Sequence, residues 1–261
     1  MRFSPLFSSS SGNSAYIGTS SCGILIDAGA NCKQLTLALE DIGVEPSSIR
    51  AIFITHEHSD HISALRVFAK KYGCQVYASP ETLKRLQKHG HLEGVKDSFG
   101  TDSEVEVGGL VVTPFHTSHD SVESLGYSVT DGDRKITIIS DTGEVTPAIM
   151  RAAEGSDLVM IESNHDPDML KWGPYPPELK ARIRSKIGHL SNGDCSEAVL
   201  ELYNSGTTRF VLSHLSAENN KPELAYDESL KILQNAGAVL NKDFTLTVAE
   251  IRTTAKKYIT I

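Results

Sequence analysis

The feature that most constrains this chain is the heptapeptide THEHSDH at residues 55–61. It follows the apolar run at residues 51–54, whose length and β-branched content predict a buried strand. It precedes residues 62–71, where apolar and polar side chains recur with the period of an amphipathic helix. Three imidazoles and a carboxylate are therefore expected between a strand end and a helix start, the edge at which α/β proteins bind ligands.

Imidazole and carboxylate groups bind Zn, Mn and Fe, and the absence of a nearby cysteine argues against a structural thiolate site. The alternative is that Ser59 or Asp60 caps the following helix while the histidines lie on a solvated surface. Capping needs only one such residue and does not account for three histidines within six positions. We therefore interpret the heptapeptide as a metal-binding motif.

Acidic or imidazole side chains also follow other predicted strands, at residues 23–26, 135–139, 157–161 and 209–212. Scattered surface residues would not be placed so regularly. Strands alternate with helices at both ends of the chain, around a β-rich middle. This order predicts an α/β fold of two sheets between helices, with these polar residues at strand ends: Asp27, His56, Asp141, Glu162 and His214.

The length and composition are those of one globular domain over residues 1–261, because 39% of the residues are hydrophobic and no Pro/Gly/Ser-rich linker divides the chain. No apolar run approaches a membrane span or the core of a signal peptide. The four cysteines are scattered and form no C-x-x-C pair, which predicts reduced thiols. We expect a cytoplasmic protein with no membrane partner and no obligate protein partner.

The spacing His56-x-His58-x-Asp60-His61 resembles the metal signature of the metallo-β-lactamase superfamily in its two-metal hydrolase form. The resemblance implies an αββα sandwich of two mixed sheets flanked by helices. It also implies two divalent ions per chain, Mn or Zn. The implied ligands are His56, His58 and His119 for one ion, Asp60, His61 and His214 for the other, and Asp141 as a bridge between them.

Two of these assignments have alternatives in the sequence. His119 is preferred to His116 because the family pattern at this point is a His-Asp pair followed by the Gly-Tyr at 126–127. Asp27 is either a turn residue or the carboxylate that orients metal-binding histidines. His89 and His91 lie on a polar, basic stretch, so we predict that they are surface residues.

Two adjacent ions share a water, lower its pKa and deliver hydroxide to an electrophile. Such a site predicts a hydrolase but does not name the substrate, because lactams, thioesters, lactones and phosphodiesters all accept hydroxide. We predict that Asp60, His189 and Glu162 are catalytic. In this prediction His189 protonates a leaving alkoxide, and Glu162 orients His189. His165 either shares one of these roles or makes a local structural contact.

Phosphate binding is predicted from polar groups near helix and loop N–H groups. The segment GHLSN at residues 188–192 introduces a helix, whose first N–H groups favour an anion. Ser191 as a plain N-cap is compatible with that reading. The small residues at 8–14 either form a flexible hairpin loop or let backbone N–H groups approach an anion. The predicted phosphate-binding residues are Ser11, Asn13, His165, Ser191 and Asn192.

The net charge of −8 weakens a polyanion hypothesis, although basic residues alternate along residues 180–186. That run is either a solvated face or a path for a phosphate backbone. The full set of motifs closely resembles the bacterial YycJ/WalJ-type family, which implies removal of nucleotides from the 5′ end of DNA with manganese favoured. The alternatives are a hydrolase of small phosphodiesters, another esterase of the superfamily, an RNA-directed nuclease, or a regulatory metal-binding protein.

Overall fold

The structure is a computed structural model that describes residues 1–253 and 259–261. These residues form fourteen strands, arranged in two seven-stranded sheets, and nine α-helices. They divide into two compact units. Unit 1 comprises Met1–Pro114, Ser121–Arg134 and Glu250–Ile261, and unit 2 comprises Phe115–Asp120 and Lys135–Ala249. The prediction of a single domain over residues 1–261 stays a prediction.

The first sheet belongs to unit 1 and is mixed. Its strands are β1 (Arg2–Ser9), β2 (Gly12–Gly18), β3 (Gly23–Ile26), β4 (Ile49–Phe53), β5 (Gln75–Ala78), β6 (Ser98–Gly100) and β14 (Ile259–Thr260), in the order β14-β1-β2-β3-β4-β5-β6. The pairs from β14 to β3 are antiparallel, and those from β3 to β6 are parallel. The central strands are buried along both faces, as apolar sequence runs of this kind require.

The helices of unit 1 cover one face of this sheet. They are α1 (Cys32–Asp41), α2 (Ser59–Ile62), α3 (Leu65–Tyr72) and α4 (Pro80–Lys88). Leu39 of α1, Phe68 of α3 and Leu86 of α4 pack in one buried cluster with sheet residues such as Ile52 and Val76. Side chains cap two helices: Asn31 accepts from the backbone N–H of Gln34, and Ser79 from that of Thr82.

The second sheet contains β7 to β13. In unit 1, β7 (Val105–Val107) pairs antiparallel with the first residues of β8 (Leu110–His116), a strand that belongs to unit 1 as far as Pro114, and β9 (Leu125–Thr130) follows in the chain. In unit 2, β10 (Lys135–Ile139), β11 (Leu158–Glu162), β12 (Arg209–Ser213) and β13 (Thr245–Val248) lie side by side and parallel. This sheet is therefore also mixed.

Unit 2 carries the remaining helices. They are α5 (Pro147–Ala153), α6 (Pro167–Trp172), α7 (Pro177–Ile183), α8 (Asn192–Asn204) and α9 (Pro222–Asn235). Residues of α5, α8 and α9 pack on the parallel strands in one buried cluster that includes Ile149, Val199, Leu233 and Phe210. The prediction of two mixed sheets flanked by helices is confirmed.

The polar residues predicted at strand ends do lie there. Asp27 directly follows β3, Glu162 is the last residue of β11 and His214 directly follows β12. Asp141 is the second residue after β10, and His56 is the third residue after β4. Three of them have left-handed backbones, with φ of 61° at Asp27, 46° at Asp141 and 53° at His214. Residues other than glycine rarely adopt this conformation, and such strain is concentrated at functional sites.

Two local predictions needed correction. Residues 62–71 are not one helix, because the chain bends at Ser63 and Ala64 between α2 and α3. The small residues at 8–14 are mostly strand: β1 and β2 form a tight hairpin in which only Ser10 and Ser11 turn. The Pro-rich stretch at 167–187, to which the sequence assigned no element, contains α6 and α7, each starting at a proline, which the first turn of a helix tolerates.

Within the part of the chain that the structure describes, no helix is long and apolar enough to cross a lipid bilayer.

Candidate metal-binding site

Within unit 1, His56 and His58 lie in the turn between β4 and α2, whereas Asp60 and His61 lie in α2 itself. His56 and His61 are fully buried, whereas His58 and Asp60 are half-buried. The Nε2 atom of His56 lies 3.0 Å from the Nδ1 atom of His58. Two imidazole nitrogens bound to one ion at about 2.1 Å and a tetrahedral angle lie roughly 3.4 Å apart. This pair of nitrogens is therefore spaced to hold one divalent cation.

Asp27 fixes the neighbouring His61. Its carboxylate accepts hydrogen bonds from the N–H and the hydroxyl of Thr55, each at 2.8 Å, and lies 2.7 Å from Nδ1 of His61. Burial raises the pKa of Asp27, while the charge and hydrogen bond of His61 and the hydrogen bonds of Thr55 oppose that rise. With Nδ1 donating to Asp27, Nε2 of His61 carries the lone pair that binds a metal.

Asn13 contacts the second ring nitrogen of His61 and the carboxylate of Asp60. Its amide nitrogen donates to Oδ2 of Asp60 at 3.0 Å and to the carbonyl of Ser9 at 2.9 Å, and lies 3.2 Å from Nε2 of His61. Oδ2 of Asp60 is 3.4 Å from the same Nε2 atom. An imidazole nitrogen and a carboxylate oxygen thus face one another, as two ligands of one ion would.

Unit 2 contains a second group of titratable side chains, centred on Glu162. Asp141, Glu162, His189 and His214 each offer one ligand atom, and these atoms lie within 4.8 Å of one another. Oε1 of Glu162 lies 2.7 Å from Nδ1 of His189 and 2.8 Å from Nδ1 of His214. Its Oε2 accepts the N–H groups of Thr142 at 3.0 Å and Leu190 at 3.3 Å.

The Glu162 carboxylate is therefore ionised and its acceptor positions are filled. Complete burial would raise its pKa, but the charge of His189 and the hydrogen bonds of both histidines outweigh burial and hold the pKa at about 2. An ionised carboxylate only accepts, so Nδ1 carries a proton in both His189 and His214. Nε2 of His214 is left to bind a metal, and Nε2 of His189 is left to exchange a proton.

Asp141 lies at the edge of this group. Its Oδ1 is 3.0 Å from Nδ1 of His214 and 3.5 Å from Nδ1 of His189, and its Oδ2 accepts from the Ser140 hydroxyl at 2.9 Å. Burial lowers the pKa of His189, but the charges of Glu162 and Asp141 and the Glu162 hydrogen bond more than compensate and raise it. Carboxylates thus surround two imidazoles in the interior of unit 2.

His119 and His116 are placed differently. His119 is buried, and its Nδ1 lies 3.0 Å from the carbonyl oxygen of Gly188, which leaves Nε2 to bind a metal. His116 is exposed at the end of β8. The burial and fixed orientation of His119 favour it over His116 as a ligand. His89 and His91 are exposed, as predicted.

An ion pair next to His119 was not foreseen. Oδ1 of Asp120 lies 3.5 Å from Nε2 of His119, and Asp120 also binds the Arg182 guanidinium through two hydrogen bonds. Arg182 lies in α7, so it belongs to the basic run that the sequence left open. Only the folded arrangement of 120 and 182 reveals this pair, since the two positions are far apart in sequence.

The predicted phosphate-binding residues have structural partners of their own. Ser191 is the N-cap of α8, accepting from the N–H of Asp194 at 3.1 Å, which is the alternative that the sequence left open. Asn192 is fully buried, and its side chain bonds Ser163 and Asn220. Ser11 is exposed at the hairpin turn. The phosphate-binding role of these residues, and of Asn13, stays a prediction.

His165 is a different case. The residue is 3% exposed, and its Nδ1 atom is buried without a hydrogen-bond partner among the described residues. Burial lowers the pKa of His165 to about 4. The backbone is paired, since the N–H of Asn192 donates to the His165 carbonyl at 2.9 Å. The ring therefore has an unused polar atom, and its predicted role remains open.

The donor atoms fit divalent metal ions. Each unit offers buried imidazoles with one nitrogen fixed by a protein acceptor, together with carboxylates, and no thiolate takes part in the groups described. Nitrogen and oxygen donors of this kind bind Zn and Mn. The His and Asp groups therefore indicate bound divalent ions.

Comparison with known proteins gives consistent results. The family model described as Beta-lactamase superfamily domain matches residues 23–215. Exodeoxyribonuclease WalJ of Streptococcus pneumoniae is 38% identical over 247 residues, covering 93% of this chain and 92% of that protein. Exodeoxyribonuclease YycJ of Bacillus anthracis is 34% identical over 251 residues, covering 94% of each. The metallo-β-lactamase fold protein YhfI from Bacillus subtilis has a TM-score of 0.74 at 17% identity over 97% of each chain.

Proposed function

Because this chain belongs to the beta-lactamase superfamily, we propose that it is a metal-dependent phosphodiester hydrolase that removes nucleotides from the 5′ end of DNA. The observation that carries the hydrolase proposal is the Glu162 carboxylate, which holds His189 beside Asp141 and His214. The choice of DNA is supported by two relatives that are named exodeoxyribonucleases and are similar over nearly their whole length.

We propose that two ions are bound by the residues that the family resemblance implies. The structure supports this ligand set within each unit, because every histidine in question has a fixed orientation or a ligand-like spacing. When bound, the ions would act as Lewis acids on the phosphoryl oxygens and lower the pKa of the attacking water. Manganese is the favoured ion, with zinc as the alternative. The ligands are His56, His58, Asp60, His61, His119, Asp141 and His214.

The chain's own residues supply the proton for the leaving group. Nδ1 of His189 donates to Glu162 at 2.7 Å, so the second proton of an imidazolium resides on Nε2. From there it can be donated to the departing 3′ oxygen, an alkoxide that is a poor leaving group without a proton. Glu162 fixes the ring and favours its charged form. Asp60 is proposed to act as both ligand and catalytic carboxylate.

His189→Ala is expected to lower hydrolysis of DNA by about 100-fold or more, which is the usual contribution of a general acid. With bis-p-nitrophenyl phosphate the loss is expected to stay below about tenfold, because p-nitrophenolate leaves readily without a proton. Metal content is measured on the same samples. Equal losses on both substrates, or an unchanged rate on DNA with full metal content, would remove His189 from the mechanism.

The substrate is tested by offering both types of phosphodiester. Duplex DNA labelled at its 5′ end and bis-p-nitrophenyl phosphate are incubated with the protein and Mn²⁺ or Zn²⁺. We expect labelled mononucleotides from the duplex before any shortening at the 3′ end. Turnover of the small ester alone would eliminate the exonuclease and favour a small-molecule phosphodiesterase. Turnover of RNA in preference to DNA would show that the polymer substrate is RNA.

The predicted phosphate contacts and the location remain part of the proposal. We propose that Ser11, Asn13, His165, Ser191 and Asn192 line the path of the phosphate groups.

We further propose a cytoplasmic location, because all four cysteines are free thiols. Burial raises the pKa of both Cys74 and Cys195 to about 12, so these two resist oxidation as thiols.

A further inference from the structure

Trp172 is the only tryptophan of the chain and lies at the end of α6 with 78% of its surface exposed. No other large hydrophobic side chain in residues 1–253 and 259–261 is as exposed. Tryptophan is usually well buried, because its ring offers a large apolar area. An indole left in solvent is therefore a mark of an interaction surface.

The position of Trp172 is fixed by its neighbours. The Lys180 ammonium donates to the carbonyl of Lys171 at 2.9 Å and to that of Gly173 at 2.7 Å, so it holds the backbone on both sides of Trp172. The N–H of Gly173 also donates to the carbonyl of Met169 at 2.7 Å, which ties the residue after Trp172 to the helix. The indole is thus presented on a pre-arranged support, which lowers the entropic cost of binding.

One cation lies next to Trp172, and the segment of the chain around it has a net positive charge. The Lys171 ammonium lies 4.9 Å from the centroid of the indole ring. Residues 167–187 contain five basic and two acidic residues, a net charge of +3 in a chain whose total is −8.

Some of these cations are already neutralised. Arg182 pairs with Asp120 and Lys186 with Glu144. In the described part of the chain no carboxylate lies within ion-pair distance of the other three, Lys171, Lys180 and Arg184. Of these three, the Lys171 ammonium is the one that lies at the indole, and it is available to an anionic partner.

An exposed indole beside unneutralised cations matches the chemistry of a single-stranded nucleic acid, whose bases stack on aromatic rings while its phosphates meet basic groups. A duplex fits less well, because its bases already stack on one another. We propose that Trp172 is a stacking platform for an unpaired base of the substrate strand, with Lys171 contacting the adjoining phosphate. This inference rests on the proposed nuclease function.

The location of α6 in the chain supports this role. The helix starts five residues after Glu162, the carboxylate that holds His189 and His214. Trp172 and the Glu162 group thus both belong to unit 2 and are separated by ten positions in the chain.

The first experiment uses the intrinsic fluorescence of this single tryptophan. The full chain with Mn²⁺ is titrated with a short thymidylate strand, about a dozen nucleotides long, whose phosphorothioate linkages resist hydrolysis. Stacking is expected to quench the emission of Trp172 in step with binding. An equivalent strand in which abasic sites replace the bases keeps the phosphates and should bind without quenching. Binding of the thymidylate strand with unchanged emission would overturn the proposal.

The second experiment measures affinity by the anisotropy of a labelled strand. Trp172→Ala is expected to raise the Kd for the thymidylate strand about tenfold, within the range for loss of one base–aromatic stack. Trp172→Phe, which keeps an aromatic face, should stay within about threefold of the parent chain. Val239→Ala, at another exposed apolar residue of unit 2, serves as the matched control and should not change the Kd.

The abasic strand separates the contribution of base stacking from that of phosphate contacts. If stacking is the contribution of Trp172, the alanine variant and the parent chain should bind the abasic strand equally well. An equal Kd of the alanine variant and the parent chain for the thymidylate strand, with 5′ hydrolysis intact, would overturn the platform and leave the nuclease function standing. Absence of both strand binding and hydrolysis in the parent chain would overturn both.

Discussion

Asp141→Asn is expected to abolish hydrolysis and to strip the protein of metal while leaving it folded. Replacement of groups that merely orient a ligand costs about 10- to 100-fold in metal affinity, so loss of a bridging carboxylate should cost at least about 100-fold. Asparagine is the appropriate replacement because Asp141 has a φ of 46°, a left-handed backbone that asparagine tolerates. Bound Mn or Zn is quantified by mass spectrometry after dialysis, next to release of the 5′ label.

The exposed Asp102, replaced by asparagine, provides the matched control and should retain both metal and activity. Asp141→Ala is compared with Asp141→Asn, because alanine lacks the carboxamide and adopts a positive φ less readily than asparagine does. It should lose the same metal and, in addition, about 1 kcal/mol of stability. Full metal content together with normal turnover in Asp141→Asn would contradict the proposed bridge.

Glu162→Leu should cause the largest loss of stability among single substitutions at the site. It removes the acceptor of two backbone N–H groups and of the Nδ1–H of His189, and it leaves Nδ1 of His214 with Asp141 but without Glu162. Removing one partner from a buried charged network typically costs about 3–5 kcal/mol. For a chain of this size that corresponds to a fall in Tm on the order of 10 °C.

The measurement is thermal unfolding with a chelator present, so that loss of metal does not contribute. Glu197→Leu, an exposed glutamate of α8, is the control and should change stability by less than about 0.5 kcal/mol. The folded-state pKa of Glu162, about 2, lies below its ordinary value of 4.5. Its contribution is therefore complete above pH 4.5 and is lost as the pH falls towards 2, so parent and variant should converge in acid. A Tm difference that persists unchanged at low pH would contradict this origin.

The strand ends were predictable from sequence because an apolar run followed by a single polar residue is a local pattern. Asp27, Asp141 and His214 all follow such runs and lie past the ends of β3, β10 and β12. The heptapeptide was equally clear, since its four potential ligands are neighbours in the chain. The family resemblance added His119, whose burial distinguishes it from the exposed His116.

Other features depend on contacts between distant residues and could not be predicted. Asn192 is the first residue of α8, a position that suggested anion binding, yet its side chain bonds Asn220, and no sequence pattern links these two positions. The sequence assigned no element to the Pro-rich stretch at 167–187, although Pro167 and Pro177 each begin a short helix. The exposure of Trp172 also contradicts the usual preference of its side chain for the interior.

The left-handed backbones at Asp27, Asp141 and His214 restrict which residues can replace them. Valine, isoleucine and threonine are disfavoured there whatever their chemistry, because a branched Cβ collides with the backbone at positive φ. Glycine and asparagine fit the backbone but bring neither a negative charge nor an imidazole. Few substitutions at these positions would therefore leave the protein folded. A descendant of this protein that has lost activity but still folds should carry glycine or asparagine there.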